Sequence, residues 1–448
     1  MSLTVQLALY GAIPAIVLLF ALEVPHRACI WGYLAGALFL PMASIELQGL
    51  PNLDKNSISN FAILLSIFIF DKERLASARL RWFDGPMILF LFAYFASSVS
   101  NGIGGSLGNS LYGGYTLFQD VLFTWGIPYF VARLYLDNRR KLIELSQVFF
   151  LGGIVYVPLC LIEIRFSPQL HAWIYGYHQH SFEQTFRLGG FRPTVFMQHG
   201  LGVGMWMTLA SLIGVTLWKN RQLPRLVKGF ENLNLCVLLL TTVLVKSTGA
   251  LFLLVTGLLT QWLSGLFGTR IFYTLMLLTP IAYCLTRTTG LWNGELLIEF
   301  VELIVGKERT ESMTGRMLNE DLLIQHALQK PFLGWSGWDR SSVYEAATGR
   351  RLTTQDGMWI IALGIAGISG LTGFMGTLLL PAFGAFRQVR KSVADPRYKR
   401  LIATLGVSLC LISVDFLMNT MPNPMYSLIC GALANNVFLN SSNDKLSR

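Results

Sequence analysis

The sequence predicts an all-α polytopic membrane protein of about 12–14 transmembrane helices, with one large external loop containing short helices. Three observations carry this. Hydrophobic residues make up 53% of the 448-residue chain and charged residues only 13%. Apolar runs of roughly spanning length recur from end to end. The basic residues cluster in short loops between those runs.

The runs fall at 3–22, 28–46, 57–70, 85–100, 116–135, 145–164, 197–218, 232–247, 249–267, 271–286, 357–386, 401–419 and 425–440. The first lacks a basic leader region and is long enough to span, so it reads as a retained helix rather than a cleaved signal. The run 357–386 exceeds one upright span, which predicts a tilt or a break near its glycines. Asp120 and Asp415 fall inside runs, where buried acids serve either a proton or ion pathway or a structural pair with a neighbouring arginine, and the pair is the expectation.

Four loops hold most of the positive charge: Lys72, Arg74, Arg79 and Arg81; Arg133, Arg139, Arg140 and Lys141; Lys219, Arg221, Arg225 and Lys228; and Arg387, Arg390, Lys391, Arg397, Lys399 and Arg400. With the runs above, all four share one side, and the positive-inside rule makes that side cytoplasmic. The Gly-rich loop 101–115, the segment 166–196 and the long loop 287–356 then lie outside, as does the N-terminus, with the C-terminus inside. The chain reads as one membrane domain, 1–448. The net charge of +10 is explained by these loops, so nucleic acid is not expected as a partner. Six cysteines without paired spacing read as small core residues, with no disulfide and no metal site expected.

The segment 166–199 sets His171, Trp173, Tyr175, Tyr177, His178 and His180 beside Gln184, Arg187, Arg192 and His199. Aromatic rings next to polar side chains suit a sugar, whose apolar faces stack while its hydroxyls need partners; an interfacial aromatic belt has the same composition. His178 and His180 supply too few ligands, at no recognisable spacing, to hold a metal. Pro193 fits a first helical turn, which places His199 about two turns into a helix, facing a cavity or hydrogen-bonded to a backbone carbonyl. Arg192 is either a site residue or a rim arginine reaching toward headgroups. Further on, Lys246 interrupts an apolar stretch as a tight outside turn.

The stretch from Thr310 to Asp356 is the one long polar segment. Thr314 fits a helix N-cap, Leu318, Leu322, Ile324, Ala327 and Leu328 give an apolar stripe, and Pro331 ends the helix. Arg316 would then sit in a first turn, where its charge opposes the helix dipole and an anionic ligand would justify it.

Thr314-Gly-Arg316, a helix, and Lys330-Pro-Phe-Leu-Gly-Trp335 together resemble the large periplasmic loop of the O-antigen ligase and polymerase superfamily. Arg192-Pro-Thr-Val-Phe resembles that family's first arginine motif, and Ser247-Thr-Gly-Ala its Ser-Arg-Gly-Ala turn. The likeness covers roughly 190 to 375. Two departures stand out: Asp356 occupies the place where the ligases commonly carry a histidine, and Thr248 replaces the arginine of the turn, with Lys246 two residues earlier as a substitute cation.

The resemblance implies a metal-independent, cofactor-free inverting glycosyltransferase in the bacterial cytoplasmic membrane. It would move glycan from an undecaprenyl-pyrophosphate-linked donor onto a glycan or lipid acceptor hydroxyl on the outer face, as polymerase or ligase. Leaving of the pyrophosphate calls for cations, for which Arg192, Arg316, Lys246 and Arg187 are the candidates. The acceptor hydroxyl calls for a base, Asp356 or His199, unless Asp356 merely caps the helix that follows. His180, Gln184 and Trp335 are the candidates for contact with sugar. The competing class is a transporter of lipid-linked glycans, which buried charges and glycine-broken helices also suit. A membrane O-acetyltransferase is a third, weaker alternative.

Overall fold

The computed structural model describes residues 2–46, 52–102, 107–187, 189–295, 298–299, 302–303, 307–337, 339–391 and 395–439. Parts of the loops 101–115 and 287–356, and the side chains of Arg390 and Lys391, lie outside them. The fold is all-α and multi-pass. Its longer helices are α1 (Leu3–Leu22), α2 (Pro25–Phe39), α3 (Lys55–Phe70), α4 (Gly85–Ser100), α5 (Leu107–Val121), α6 (Ile127–Tyr135), α7 (Arg139–Phe166), α8 (Gly200–Asn220), α9 (Glu231–Leu244), α10 (Thr248–Leu266), α11 (Ile271–Thr288), α12 (Lys307–Ala327), α13 (Met358–Lys391), α14 (Pro396–Met418) and α15 (Pro424–Phe438). Among the described residues, strands are confined to two small antiparallel pairs, β1 (Ser44–Ile45) with β2 (Leu53–Asp54), and β3 (Phe186–Arg187) with β4 (Gly190–Phe191).

Eight helices among the described residues are long and apolar enough to cross a membrane: Leu3–Leu22, Trp82–Ser100, Arg139–Phe166, Gly200–Asn220, Thr248–Leu266, Ile271–Thr288, Met358–Val389 and Pro396–Met418. Each remaining apolar run of the sequence also forms a helix, though a shorter one. The helix starts follow local chemistry. Asp54, Asn138 and Asn423 accept hydrogen bonds from the first-turn N–H groups of Ser57, Lys141 and Met425. Proline occupies the first turn of α2, α4, α6, α14 and α15. Between α5 and α6 the chain runs on through a π-turn, Leu122–Gly126, which frees carbonyls from the helical ladder. Asn60 donates to Phe123 O at 2.6 Å and Ser427 Oγ donates to Trp125 O, so those carbonyls stay satisfied.

The four basic loops meet at one end of the bundle. Arg74 pairs with Asp137, Arg139 pairs with Asp395, Gln147 donates to Gln222 O, and Asn220 links to both Arg397 O and Arg400. Phe438 meets Trp82 edge-on and stacks on Phe83 at this same end. The N-terminus lies at the other end, where Ser2 Oγ donates to Tyr175 O at 2.8 Å.

Helix α13 is broken at Gly367 (φ 64, ψ −161), as its length and glycines suggest. The segment after α12 fills the break. Trp335 N and Ser336 N donate to Gly364 O and Ile365 O, while Ile368 N and Ser369 N donate to Pro331 O and Phe332 O. Ser97 Oγ adds a bond to Ile365 O at 2.6 Å. A backbone ladder through an opened helix is tolerated at membrane depth because protein, not lipid, satisfies it. The fit needs glycine on both sides. A Cβ on Gly367 would lie 2.5 Å from Phe332 C, and one on Gly334 (φ +66) would lie 2.6 Å from Ile365 C.

Several expectations are corrected. Helix α12 starts at Lys307, so Thr314 is not its N-cap and Arg316 lies in its interior, where the argument from a first-turn dipole does not apply. It is also a 21-residue helix rather than a short one. Helix α8 starts at Gly200, not at Pro193, for a reason given below. Asp120 has no ion-pair partner among the described residues, and Asp415 bonds to Asn419 rather than directly to an arginine. Of the cysteines, Cys236 is exposed while the other five are buried.

Candidate functional site

The site is built on a clasp. Glu163, three residues before the end of α7 and fully buried, accepts from Leu170 N at 3.0 Å with one oxygen. Its other oxygen accepts from Thr194 N and Val195 N, each at 2.8 Å. Gln179 closes the other side, donating to Thr194 Oγ1, Val195 O and Met197 O. With its N–H groups taken and Val195 in the left-handed region (φ 50), the chain after Pro193 cannot enter a helix until Gly200. A buried carboxylate satisfied by three backbone donors holds the Arg192-Pro-Thr-Val-Phe segment in place.

His199 is therefore the N-cap of α8. Its Nδ1 accepts from Leu201 N at 3.1 Å, so in the neutral ring Nε2 carries the proton. The carbonyl partner considered for it from sequence is replaced by this backbone N–H. Burial lowers the His199 pKa to about 4, helped by the positive fields of His180, Arg192, Arg187 and Arg316. These four predicted residues thus converge on a fifth. The His180 ring stands edge-on to His199, centroids 4.7 Å apart, and its Nδ1 is buried with no hydrogen-bond partner among the described residues.

The cations enter from separate elements. Arg187 extends from the β3–β4 hairpin, opposite Gly190. The Arg192 stem lies over Gly200, where a Cβ would meet its Cδ at 2.3 Å, so the arginine covers the start of α8 rather than trailing toward the rim. Lys246, in the left-handed region (φ 57) between α9 and α10, forms the expected tight turn, and its Nζ sits 2.0 Å from where a Gly190 Cβ would be. Glycine at 190 lets the ammonium approach the hairpin.

Arg316 and Asp356 complete the group. Arg316 Nε lies 3.6 Å from Asp356 Oδ2, and Arg316 Nη1 donates to Met418 O, the last carbonyl of α14, at 3.3 Å. A guanidinium at a helix C-terminus is favoured by the dipole. Asp356 does not cap α13: among the described residues no backbone N–H donates to its carboxylate, and Met358 N donates instead to Asn419 O at 3.1 Å. Its carbonyl accepts from Thr420 Oγ1 at 2.6 Å, fixing the loop against the segment that follows α14. The void lined by Arg316, Glu320, Thr354, Asp356 and Met418 is about 10 Å³, room for about one water.

Two candidates stand apart from this group. Trp335 is nineteen residues beyond Arg316, past the end of α12, and belongs to the plug in α13; His326, against which it packs, is ten residues and about 15 Å of helix rise from Arg316. The Trp335 ring stacks on His326 (4.4 Å, 7°), and Lys330 Nζ lies 4.2 Å from its centroid. Gln184 is exposed on the short turn Phe182–Thr185, ahead of β3. His171 is structural, with Nδ1 donating to Tyr177 O and Nε2 accepting from Met42 N.

Sequence reasoning missed Glu163 and a second buried set. Arg287 on α11 is within 3.4 Å of Glu320 and 3.0 Å of Asp321, and it donates to Met317 O. Tyr283 Oη and Trp359 Nε1 also donate to Glu320. These bonds fix the face of α12 one turn beyond Arg316. The available signal was an ionisable residue near the end of each apolar run, Glu163 and Arg287. No protein-family model matches the chain, and no curated protein is significantly similar to it.

Proposed function

We propose that the chain is a membrane glycosyltransferase that uses a polyprenyl-diphosphate-linked glycan as donor and a glycan or lipid hydroxyl as acceptor. In this reading all thirteen apolar helical passes cross the bacterial cytoplasmic membrane, and the site opens on its outer face. One observation carries it: the positive fields of Arg187, Arg192 and Arg316 all reach His199, and Arg316 pairs with Asp356, at the end of the bundle opposite the basic loops. The positive-inside rule makes the basic end cytoplasmic, so the cluster faces outward, where a lipid-anchored diphosphate can meet it without leaving the bilayer.

The chemistry follows from the side chains. The anomeric C–O bond to the diphosphate breaks, the acceptor oxygen bonds to the anomeric carbon from the opposite face, and the lipid diphosphate departs with both electrons of the broken bond. Arg316, Arg192, Arg187 and Lys246 stabilise the charge that grows on the diphosphate, and arginine forks suit its oxygens. Asp356 takes the acceptor proton. His199 is a donor in this scheme, because its Nδ1 is committed to Leu201 N and its Nε2 carries the ring proton. At rest Arg316 is paired with Asp356, and both line the small void. Donor binding draws Arg316 onto the diphosphate and frees the carboxylate for the acceptor.

Asp356→Asn tests the assignment. The carboxylate caps nothing and its half-exposed pairing with Arg316 is worth roughly 0–1 kcal/mol, so the variant is expected to fold normally. Its transfer rate is expected to fall about 10²–10⁴-fold. Wild-type turnover by a normally folded Asp356→Asn protein would remove Asp356 as the base.

A further inference from the structure

At the end of the bundle opposite this site, a cavity of about 300 Å³ is lined by Arg74, Arg79, Arg81, Phe130, Arg133 and Leu439, among others. Two of its arginines are committed to the fold. Arg133 forks onto Asp84 at 2.8 and 3.1 Å, bonds to Asn435 and covers the Phe83 ring. Arg74 bonds to Leu134 O and Asp137. The neighbouring carboxylates are used up in the same contacts: Asp84 also accepts from Tyr129 Oη and Arg81 N, and Asp137 also accepts from Lys141. Arg79 and Arg81 differ. Both are exposed, and among the described residues neither guanidinium has an ion-pair or hydrogen-bond partner. The cavity therefore carries an excess of positive charge at its rim.

Apolar side chains interleave those two arginines. Leu80 is 67% exposed and Trp82 is 69% exposed, an arrangement that is costly in water and ordinary where a bilayer's interface meets protein. Tryptophan at such an end is suited to headgroup depth. A pocket that alternates unpaired guanidinium groups with exposed apolar surface matches a ligand that is an anion at one end and hydrocarbon at the other.

We propose that this cavity binds the phosphodiester headgroup of an anionic membrane phospholipid, with Arg79 and Arg81 on the phosphate and an acyl chain along Leu80 and Trp82. Arginine forks match the phosphate oxygens, the uncompensated negative charge of an anionic headgroup separates it from a zwitterionic one whose ammonium the same arginines repel, and basic pockets between helices on this side of a membrane take such headgroups. The site does not depend on the function proposed above, because it shares no residue with the cluster around His199.

The experiment is native mass spectrometry of the full chain in detergent, titrated with phosphatidylglycerol, phosphatidylcholine or soluble glycerol phosphate. Phosphatidylglycerol is expected to bind saturably and to raise the thermal unfolding midpoint, and the other two probes to do neither. In Arg79→Gln/Arg81→Gln, its affinity is expected to drop roughly thirtyfold, about fivefold per arginine, with the lipid-free midpoint unchanged. Arg79→Lys/Arg81→Lys, which keeps both charges, is expected to stay within about tenfold of wild type. Equal binding of phosphatidylcholine, or equal phosphatidylglycerol affinity in the glutamine variant, overturns the proposal. Equal stabilisation by glycerol phosphate makes this a soluble-phosphate site and overturns the lipid assignment. A lysine variant as weak as the glutamine variant shows that charge is not the basis of binding and also overturns it.

Discussion

Arg316 and Asp356 form a loose ion pair, Nε to Oδ2 at 3.6 Å, across the gap between α12 and the loop leading into α13. Both are about one-third exposed, so the pair is worth little to stability. Its geometry leaves the guanidinium short of a bidentate fork, in reach of a better anion. Arg316→Ala is expected to lose roughly 3 kcal/mol of transition-state stabilisation, a rate lower by about two orders of magnitude, with near-normal thermal stability. Lysine is expected to restore only part of the rate, because a point charge does not reproduce the fork. Steady-state transfer assays on the two variants check both statements.

His199 gives the site a pH dependence whose sign is fixed by its environment. Its pKa falls to about 4 in the folded protein, mainly through burial, from an ordinary value of 6.5. The unfolded chain therefore binds the extra proton first as pH falls, and the stability tied to the neutral ring, fully present above about 6.5, is lost on descending toward 4. His199→Asn keeps a side-chain oxygen that caps α8 but removes the titration. The wild-type unfolding midpoint is expected to fall more steeply than the variant's between pH 6.5 and 4, as measured by thermal melts in one buffer series. Parallel slopes would mean that His199 is not the group titrating.

Gly367 is the structural prediction. Its backbone angles (φ 64, ψ −161) lie in a region reserved for glycine, at a cost of about 1–3 kcal/mol for any other residue. Its missing Cβ is also where Phe332 passes. Gly367→Ala is expected to displace the Pro331–Ser336 plug, with a lowered melting midpoint and protease cleavage near residue 335. Gly265→Ala, where a Cβ meets nothing within 4 Å, is the control and is expected to be near neutral.

Much of this architecture is legible in the sequence because spans answer to hydropathy and little else. Thirteen apolar runs became helices, the four basic loops gathered at one end, and the over-long run 357–386 broke at Gly367. The site was legible in part. Arginines 187, 192 and 316, with His180 and His199, stood out because ionisable groups flanking apolar runs need a reason. What failed were the local starts of helices. The span after Pro193 was read as starting early because nothing local announces that Glu163, thirty residues upstream, takes the N–H groups of Thr194 and Val195. Thr314 looked like a cap, yet the chain is already helical from Lys307. Trp335, a candidate for contact with sugar, belongs to the segment that plugs α13, a placement visible only once the break at Gly367 is known.

The most direct measurement is the fate of the lipid diphosphate. Purified protein in detergent, with EDTA present and no membrane gradient, is given a polyprenyl-diphosphate glycan and its acceptor, and the products are weighed by mass spectrometry. One polyprenyl diphosphate is expected to be released for each new glycosidic bond, with the anomeric configuration inverted. Intact donor in detergent, together with movement of that intact donor across the bilayer by the same protein in proteoliposomes, would contradict a transferase and make the chain a carrier.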